Sequence, residues 1–84
     1  MYLHLGNAAV IRKRDILGIF DLDSASQSYL TREFLARQEK KNRVRNVSGE
    51  NLPKSFVLCD NRTYLSPLAA ATLLRRVEND DFEN

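Results

Sequence analysis

One cysteine, one histidine, no tryptophan, three glycines and two prolines leave this 84-residue chain with few chemical specialities. A lone Cys59 excludes an intramolecular disulfide, and a lone His4 leaves little for metal chemistry, so no metal site is expected. Long apolar runs are missing too: residues 16–20 and 68–71 fall far short of the roughly 18 residues that cross a bilayer, so no membrane partner is expected. No basic start leads into an apolar stretch with a small-residue cleavage site, and a cytoplasmic location is therefore expected. Gly-x-Ser-x-Gly, a Gly-rich phosphate loop and His-x-x-x-His are all absent, which removes the usual frames for catalysis. The chain reads as no enzyme, with no cofactor and no small-molecule substrate.

What remains is ordinary for a small globular domain, 43% hydrophobic and 29% charged, but the charge is segregated. Residues 1–77 hold all 13 Lys and Arg against seven carboxylates, a net charge of +6. Residues 78–84 carry Glu78, Asp80, Asp81 and Glu83 and no cation, a net charge of −4. This divides the chain into a basic domain, 1–77, and an acidic tail, 78–84, expected to be flexible. A basic domain attracts polyanions through counterion release and steering, which makes nucleic acid the leading partner class; solvation of an ordinary surface is the competing explanation.

Period-2 alternation at Tyr2-Leu3-His4-Leu5, the turn signal Gly6-Asn7 and a second run from Ala8 to Ile11 predict an opening hairpin. Residues 16–21 predict a third strand. Ser28 is the expected cap of a helix over residues 29–41, in which Leu30, Phe34 and Leu35 recur at helical spacing. Residues 42–54 read as a loop with a short edge strand at 43–47. Residues 55–59 and 63–65 flank Asp60-Asn61-Arg62 as a second hairpin, with Asn61 taking a positive φ, and Ser66-Pro67 opens a last helix. The fold class is α+β, a small mostly antiparallel sheet with two helices.

Two strands are apolar on both faces. Ile16, Gly18 and Phe20 are expected to point one way and Leu17 and Ile19 the other, while Phe56 and Leu58 oppose Val57 and Cys59. Two short helices can cover one face of such a sheet, so the other is expected to be buried by another subunit, the chain being its own partner; a monomer with a helix on each face is the alternative.

The strongest basic cluster is Lys40, Lys41, Arg43 and Arg45, with Arg37 one turn earlier and Lys54 beyond the loop. Such a site grips phosphates without reading bases, although cations at a helix C-terminus are also favourable with its dipole. Arg12, Lys13 and Arg14 form a possible second patch. Cys59 reads as a packing residue, His4 as a sheet residue, and Asp21 and Asp23 as a helix approach. Arg75 and Arg76 suit a dipole role or pairing with the tail.

The ordered series Tyr2-Leu3-His4-Leu5-Gly6-Asn7, Val10-Ile11, Arg14-Asp15-Ile16-x-Gly18-Ile19-Phe20-Asp21, Glu33-Phe34-Leu35, Pro53-Lys54-Ser55 and Tyr64-Leu65-Ser66-Pro67-Leu68 resembles the bacterial extracellular-matrix regulator family of RemA and RemB, on its RemB branch. The resemblance covers residues 1–77. It implies a DNA-binding transcriptional regulator of biofilm matrix genes in Gram-positive bacteria, assembled as a homo-oligomeric ring. In the RemA branch adjacent arginines follow a loop glycine, whereas Gly49 is followed here by Glu50, Asn51, Leu52 and Pro53. Contacts to duplex DNA would then fall to Lys40, Lys41, Arg43, Arg45 and Lys54. The alternative is a ring-forming structural or protein-interaction module without significant DNA binding.

Overall fold

A computed structural model describes residues 2–7, 9–25 and 28–78, and it has the α+β character that the residue pattern predicts. Strands β1 (Tyr2–Gly6) and β2 (Ala9–Arg12) pair antiparallel as the opening hairpin. Leu3, Leu5 and Ile11 point into the core, while Tyr2, His4, Val10 and Arg12 are exposed. Gly6 and Asn7 turn the chain with φ of 110° and 49°, and a Cβ at Gly6 would also meet Pro67 at 3.0 Å. A 3-10 turn, Lys13–Asp15, leads into β3 (Ile16–Asp21). A single helical turn α1 (Leu22–Ala25) follows, begun where Asp21 accepts the Asp23 amide at 2.8 Å. Then come α2 (Tyr29–Lys40), β4 (Val44–Asn46), β5 (Ser55–Cys59), β6 (Thr63–Ser66) and α3 (Ala70–Glu78).

The sheet departs from the expectation of one mostly antiparallel layer. The opening hairpin is a separate two-stranded sheet, and the other strands form a mixed sheet in the order β3-β5-β6-β4. β5 is antiparallel to both neighbours, and β4 pairs parallel to β6. β3 occupies one edge of β5 and β6 the other, and β4 joins at the outer edge of β6. It lies two chain reversals from β6, and so the pair is parallel.

A bulge also resets the faces of β3. Ile16 stands opposite Cys59 and Gly18 opposite Leu58, so Leu17 is the extra residue. Ile16 therefore joins Ile19 on the side of Val57 and Cys59, not Gly18 and Phe20 as strict alternation predicts. That side, the inner face, packs with Leu3, Leu5, Ile11 and Leu73 as the core, with Tyr64, Leu68 and Val77 at its margin. The opposite, outer face carries Phe20, Phe56, Leu58 and Leu65.

The two longer helices thus lie on opposite faces rather than on one. α3 seats Ala70 and Leu73 with the hairpin against the inner face, whereas α2 crosses the outer face without a single buried residue. Two local expectations change as well. Asn61 keeps a negative φ, because four residues separate the paired Leu58 and Thr63 and a connection of that length needs only a type I turn. α3 begins at Ala70, not at Ser66-Pro67, because Ser66 is engaged as the last residue of β6. The tail expected over 78–84 lies outside the described residues except for Glu78, which ends α3.

Buried serines join the layers. Ser66 Oγ donates to the Leu5 carbonyl at 2.6 Å and accepts from the Leu68 amide at 3.1 Å, while Ser55 Oγ donates to the Leu68 carbonyl at 2.7 Å. Ser48 is equally buried, but its hydroxyl has no hydrogen-bond partner among the described residues. Replacing Ser66 by Ala leaves a buried carbonyl unsatisfied and is expected to cost about 1–3 kcal/mol in urea unfolding. Ser48→Ala removes only an unpaired group and is expected to be neutral or stabilising in the same measurement.

Candidate nucleic-acid interface

The basic cluster is built by the end of α2. Ser28 caps the helix, accepting from the Thr31 amide at 3.4 Å, and Tyr29, Glu33 and Arg37 form a polar ladder at four-residue spacing. Glu33 accepts from the Tyr29 hydroxyl at 2.8 Å and pairs with Arg37 at 3.0 Å. The helix stops at a Schellman motif: Asn42 adopts φ 58°, its amide donates to the Glu39 carbonyl, and the Arg43 amide donates back to Gln38. Lys40 therefore occupies the last turn and Lys41 the cap. Both are exposed at the negative end of the helix dipole, where cations are favourable.

Asn42 then turns the chain onto the outer edge of the sheet. The Arg43 carbonyl accepts from Thr63, Arg45 stands beside Tyr64, and the Lys54 amide donates to the Ser66 carbonyl. From Thr63 to Ser66 the edge is about 10 Å long, the axial rise of about three base pairs of duplex DNA. Arg45 shares the face of Tyr64, while its neighbour Val44 lies under α2 with Leu65. The structure thus brings Lys40, Lys41, Arg43 and Arg45 around the β4 edge but not on one plane, with Arg45 on the inner face and Lys40 and Lys41 at the helix end on the outer, whereas Lys54 lies in line with β5 on the other side of β6. All five side chains are exposed, and among the described residues none makes an ion pair. Arg37, by contrast, is engaged by Glu33.

The second patch is structurally committed in part. Arg12 pairs with Asp15 at 3.4 Å, and Lys13 Nζ donates to the Arg76 carbonyl at 3.1 Å near the end of α3, leaving Arg14 exposed beside them. Arg76 reaches across to the His4 carbonyl at 3.5 Å, a structural use of a residue read as a dipole partner. The loop after β4 is anchored by Asn7, whose amide donates to the Val47 carbonyl at 2.7 Å. Its turn, with Gly49 at φ 63°, exposes Glu50, Asn51 and Leu52 rather than cations.

His4 and Cys59 stand in different surroundings. His4 is on the exposed face of β1, and Cys59 is in the core. Burial first, and then the carboxylates of Asp15 and Asp60, push the Cys59 thiol up from its ordinary value of 9.0. A raised acid holds its proton to higher pH, so thiolate is scarcer in the folded chain than in the unfolded one. Thiol labelling at pH 8 is expected to be at least about tenfold slower in the native protein than in denaturant. Equal rates would place Cys59 in solvent.

Comparison with known proteins agrees with the residue pattern. A family described as RemA-like, extracellular matrix regulatory protein A-like, matches residues 2–77. Extracellular matrix regulatory protein B of Bacillus subtilis (strain 168) is 44% identical over 78 residues, 93% of this chain and 91% of the relative. A match that runs from the opening hairpin almost to the end of α3 spans every element described above, and the chain belongs to the RemA-like family of extracellular-matrix regulatory proteins.

Proposed function

We propose that this chain is a cytoplasmic transcriptional regulator of extracellular-matrix genes that binds duplex DNA as a homo-oligomeric ring. It acts by binding, without catalysis or a cofactor. The observation that carries the DNA reading is the set of four exposed cations, Lys40, Lys41, Arg43 and Arg45, gathered at the β4 edge, with Lys54 exposed across β6, all without ion-pair partners among the described residues. Unpaired Lys and Arg offer charge that phosphates can take up without breaking an existing pair. The relative's name, extracellular matrix regulatory protein B, supplies the process being regulated. Oligomerisation is supported by Phe20 and Leu30, left exposed where α2 crosses the outer face, and several copies would multiply a modest number of phosphate contacts per subunit.

One observation favours a second reading. The Gly49 loop exposes Glu50 and Asn51, which repel or merely tolerate phosphate, and this fits an assembly that does not engage DNA. A gel shift with duplex DNA at two salt concentrations, beside a sizing column, separates the two: an oligomer that shifts no DNA at low salt supports the interaction module.

If the edge cations neutralise phosphates, Arg43→Ala with Arg45→Ala should weaken binding to unrelated duplexes alike. Every phosphate left unneutralised should flatten the slope of log affinity against log salt by about 0.9, multiplied by the subunits engaged. Arg37→Ala, which removes a cation already paired with Glu33, should leave the slope nearly unchanged. A folded, oligomeric double variant with the wild-type slope would place the site elsewhere, first at Arg14.

A further inference from the structure

Away from the basic edge, charged side chains of both signs converge at one end of the inner face. The turn between β5 and β6 supplies Asp60 and Arg62, and the turn between β2 and β3 supplies Asp15 beside Arg12, the last residue of β2. These four surround a cavity of about 390 Å³ with Cys59 and Tyr64 beneath them, a size that suits a small ligand. A second cavity, of about 240 Å³, shares Arg12, Asp15, Cys59 and Tyr64 with the first and adds the apolar side chains of Val10 and Ile11. Both turns are held in shape: the Cys59 amide donates to the Arg62 carbonyl at 2.9 Å across the base of one, and Arg12 pairs with Asp15 at 3.4 Å across the other. The side chains of Asp60 and Arg62, by contrast, have no hydrogen bond or ion pair among the described residues. The two carboxylates bear on the same spot, since Asp15 and Asp60 each add to burial in pushing the Cys59 thiol up.

We propose that this cavity binds a small zwitterion, an α-amino acid with an apolar side chain, whose carboxylate is taken by Arg12 and Arg62, whose ammonium is taken by Asp60 and Asp15, and whose side chain rests on Val10 and Ile11. The charges select this class. A phosphate or a nucleic-acid strand would meet two carboxylates, a polyamine would meet two guanidiniums, and an uncharged apolar molecule would take water from all four charges without replacing it. A metal ion lacks ligands, because among the described residues no three His, Cys, Asp or Glu side chains gather to hold one. A molecule with one charge of each sign a few bonds apart and an apolar remainder satisfies both pairs, and it gives Asp60 and Arg62 the partners that the fold does not. Arg12 can keep Asp15 and still serve, since a guanidinium carries five N–H donors. Binding there requires neither DNA nor a second copy. The cavity is nevertheless one strand from the basic edge, for Tyr64 beneath it stands opposite Arg45.

Titration of the isotope-labelled full chain with L-leucine and L-phenylalanine, followed by amide NMR shifts, tests this. At least one of the two should move the amides of residues 12–15 and 59–62 saturably, with a dissociation constant of about 1 mM or below, a strength within reach of a ligand this small. N-acetyl-L-leucine lacks the ammonium and L-leucinamide the carboxylate, and each should bind the wild-type chain about fivefold or more weakly than leucine. Arg62→Ala and Asp60→Asn fall in an exposed turn, so both should keep the wild-type spectrum elsewhere and lose affinity by a similar factor. An acetylated compound that binds as well as leucine would reduce the cavity to an anion site, and an amide that binds as well would reduce it to a cation site; either result overturns the zwitterion. The absence of saturable shifts at these amides up to about 20 mM of both amino acids overturns the site itself. Because the acetyl and amide comparisons use the wild-type chain, they decide the matter even if a turn variant fails to fold.

Discussion

Everything in this fold is arranged around the need to cover β5 on both sides. It is an interior strand whose Phe56 faces one way and whose Val57 and Cys59 face the other, and all three are buried. The inner side is closed within the chain by a hairpin and α3, and the serines at 55 and 66 fasten that cover by hydrogen bonds to Leu5 and Leu68. The outer side is spanned by α2 alone. Hydrophobic burial scales with area removed from water, so the two halves contribute unequally: the core of Leu3, Leu5, Ile11, Val57, Cys59 and Leu73 lies wholly on the inner side. A domain of this size has little surface to spare for burial, and half of its sheet is left with an incomplete cover.

Much of this was legible in the residues themselves. Alternation found the opening hairpin, Ser28 and the spacing of Leu30, Phe34 and Leu35 found α2, and doubly apolar strands found the sheet that needs two covers. What was not legible depends on contacts distant in sequence. The bulge at Leu17 leaves no local mark, because an insertion shows only against the partner strand, and it reverses the face assigned to Ile16. The hydroxyl of Ser66 could equally cap a helix or fasten a strand, and Leu5, 61 positions away, decides the matter. The parallel pairing of β4 depends on its joining β6 rather than the adjacent-in-sequence β5, a choice of edge that no local pattern records. The helix stop had a readable signal that local reasoning passed over: Asn42 sits one residue past the cationic end of α2, where a left-handed residue is wanted and asparagine tolerates it best after glycine.

For the candidate site, the sequence supplied the residues and the fold supplied their meaning. The run from Lys40 to Arg45 looks like one patch on paper, but the strand period sends Val44 under α2 and Arg45 to the opposite face beside Tyr64. Arg37 belongs to the same charge run and is withdrawn from it by Glu33, four residues earlier on the same helix face. Lys54, grouped with the run by charge, is separated from it by β6, which takes the β4 pairing on one side and the Lys54 amide on the other.

The position of β4 couples the two properties proposed for the chain. An edge strand exposes unpaired backbone groups, and short length with a basic side chain is a common way of preventing another strand from pairing there. The same arginine that blocks strand addition at β4 is then one of the charges available to a phosphate backbone, so a single placement serves both ends. The basic edge and the apolar outer face are thus different surfaces of the same small sheet. A strand added at the β4 edge would instead set its own side chains beside Arg45 on the inner face and narrow a phosphate's approach to it.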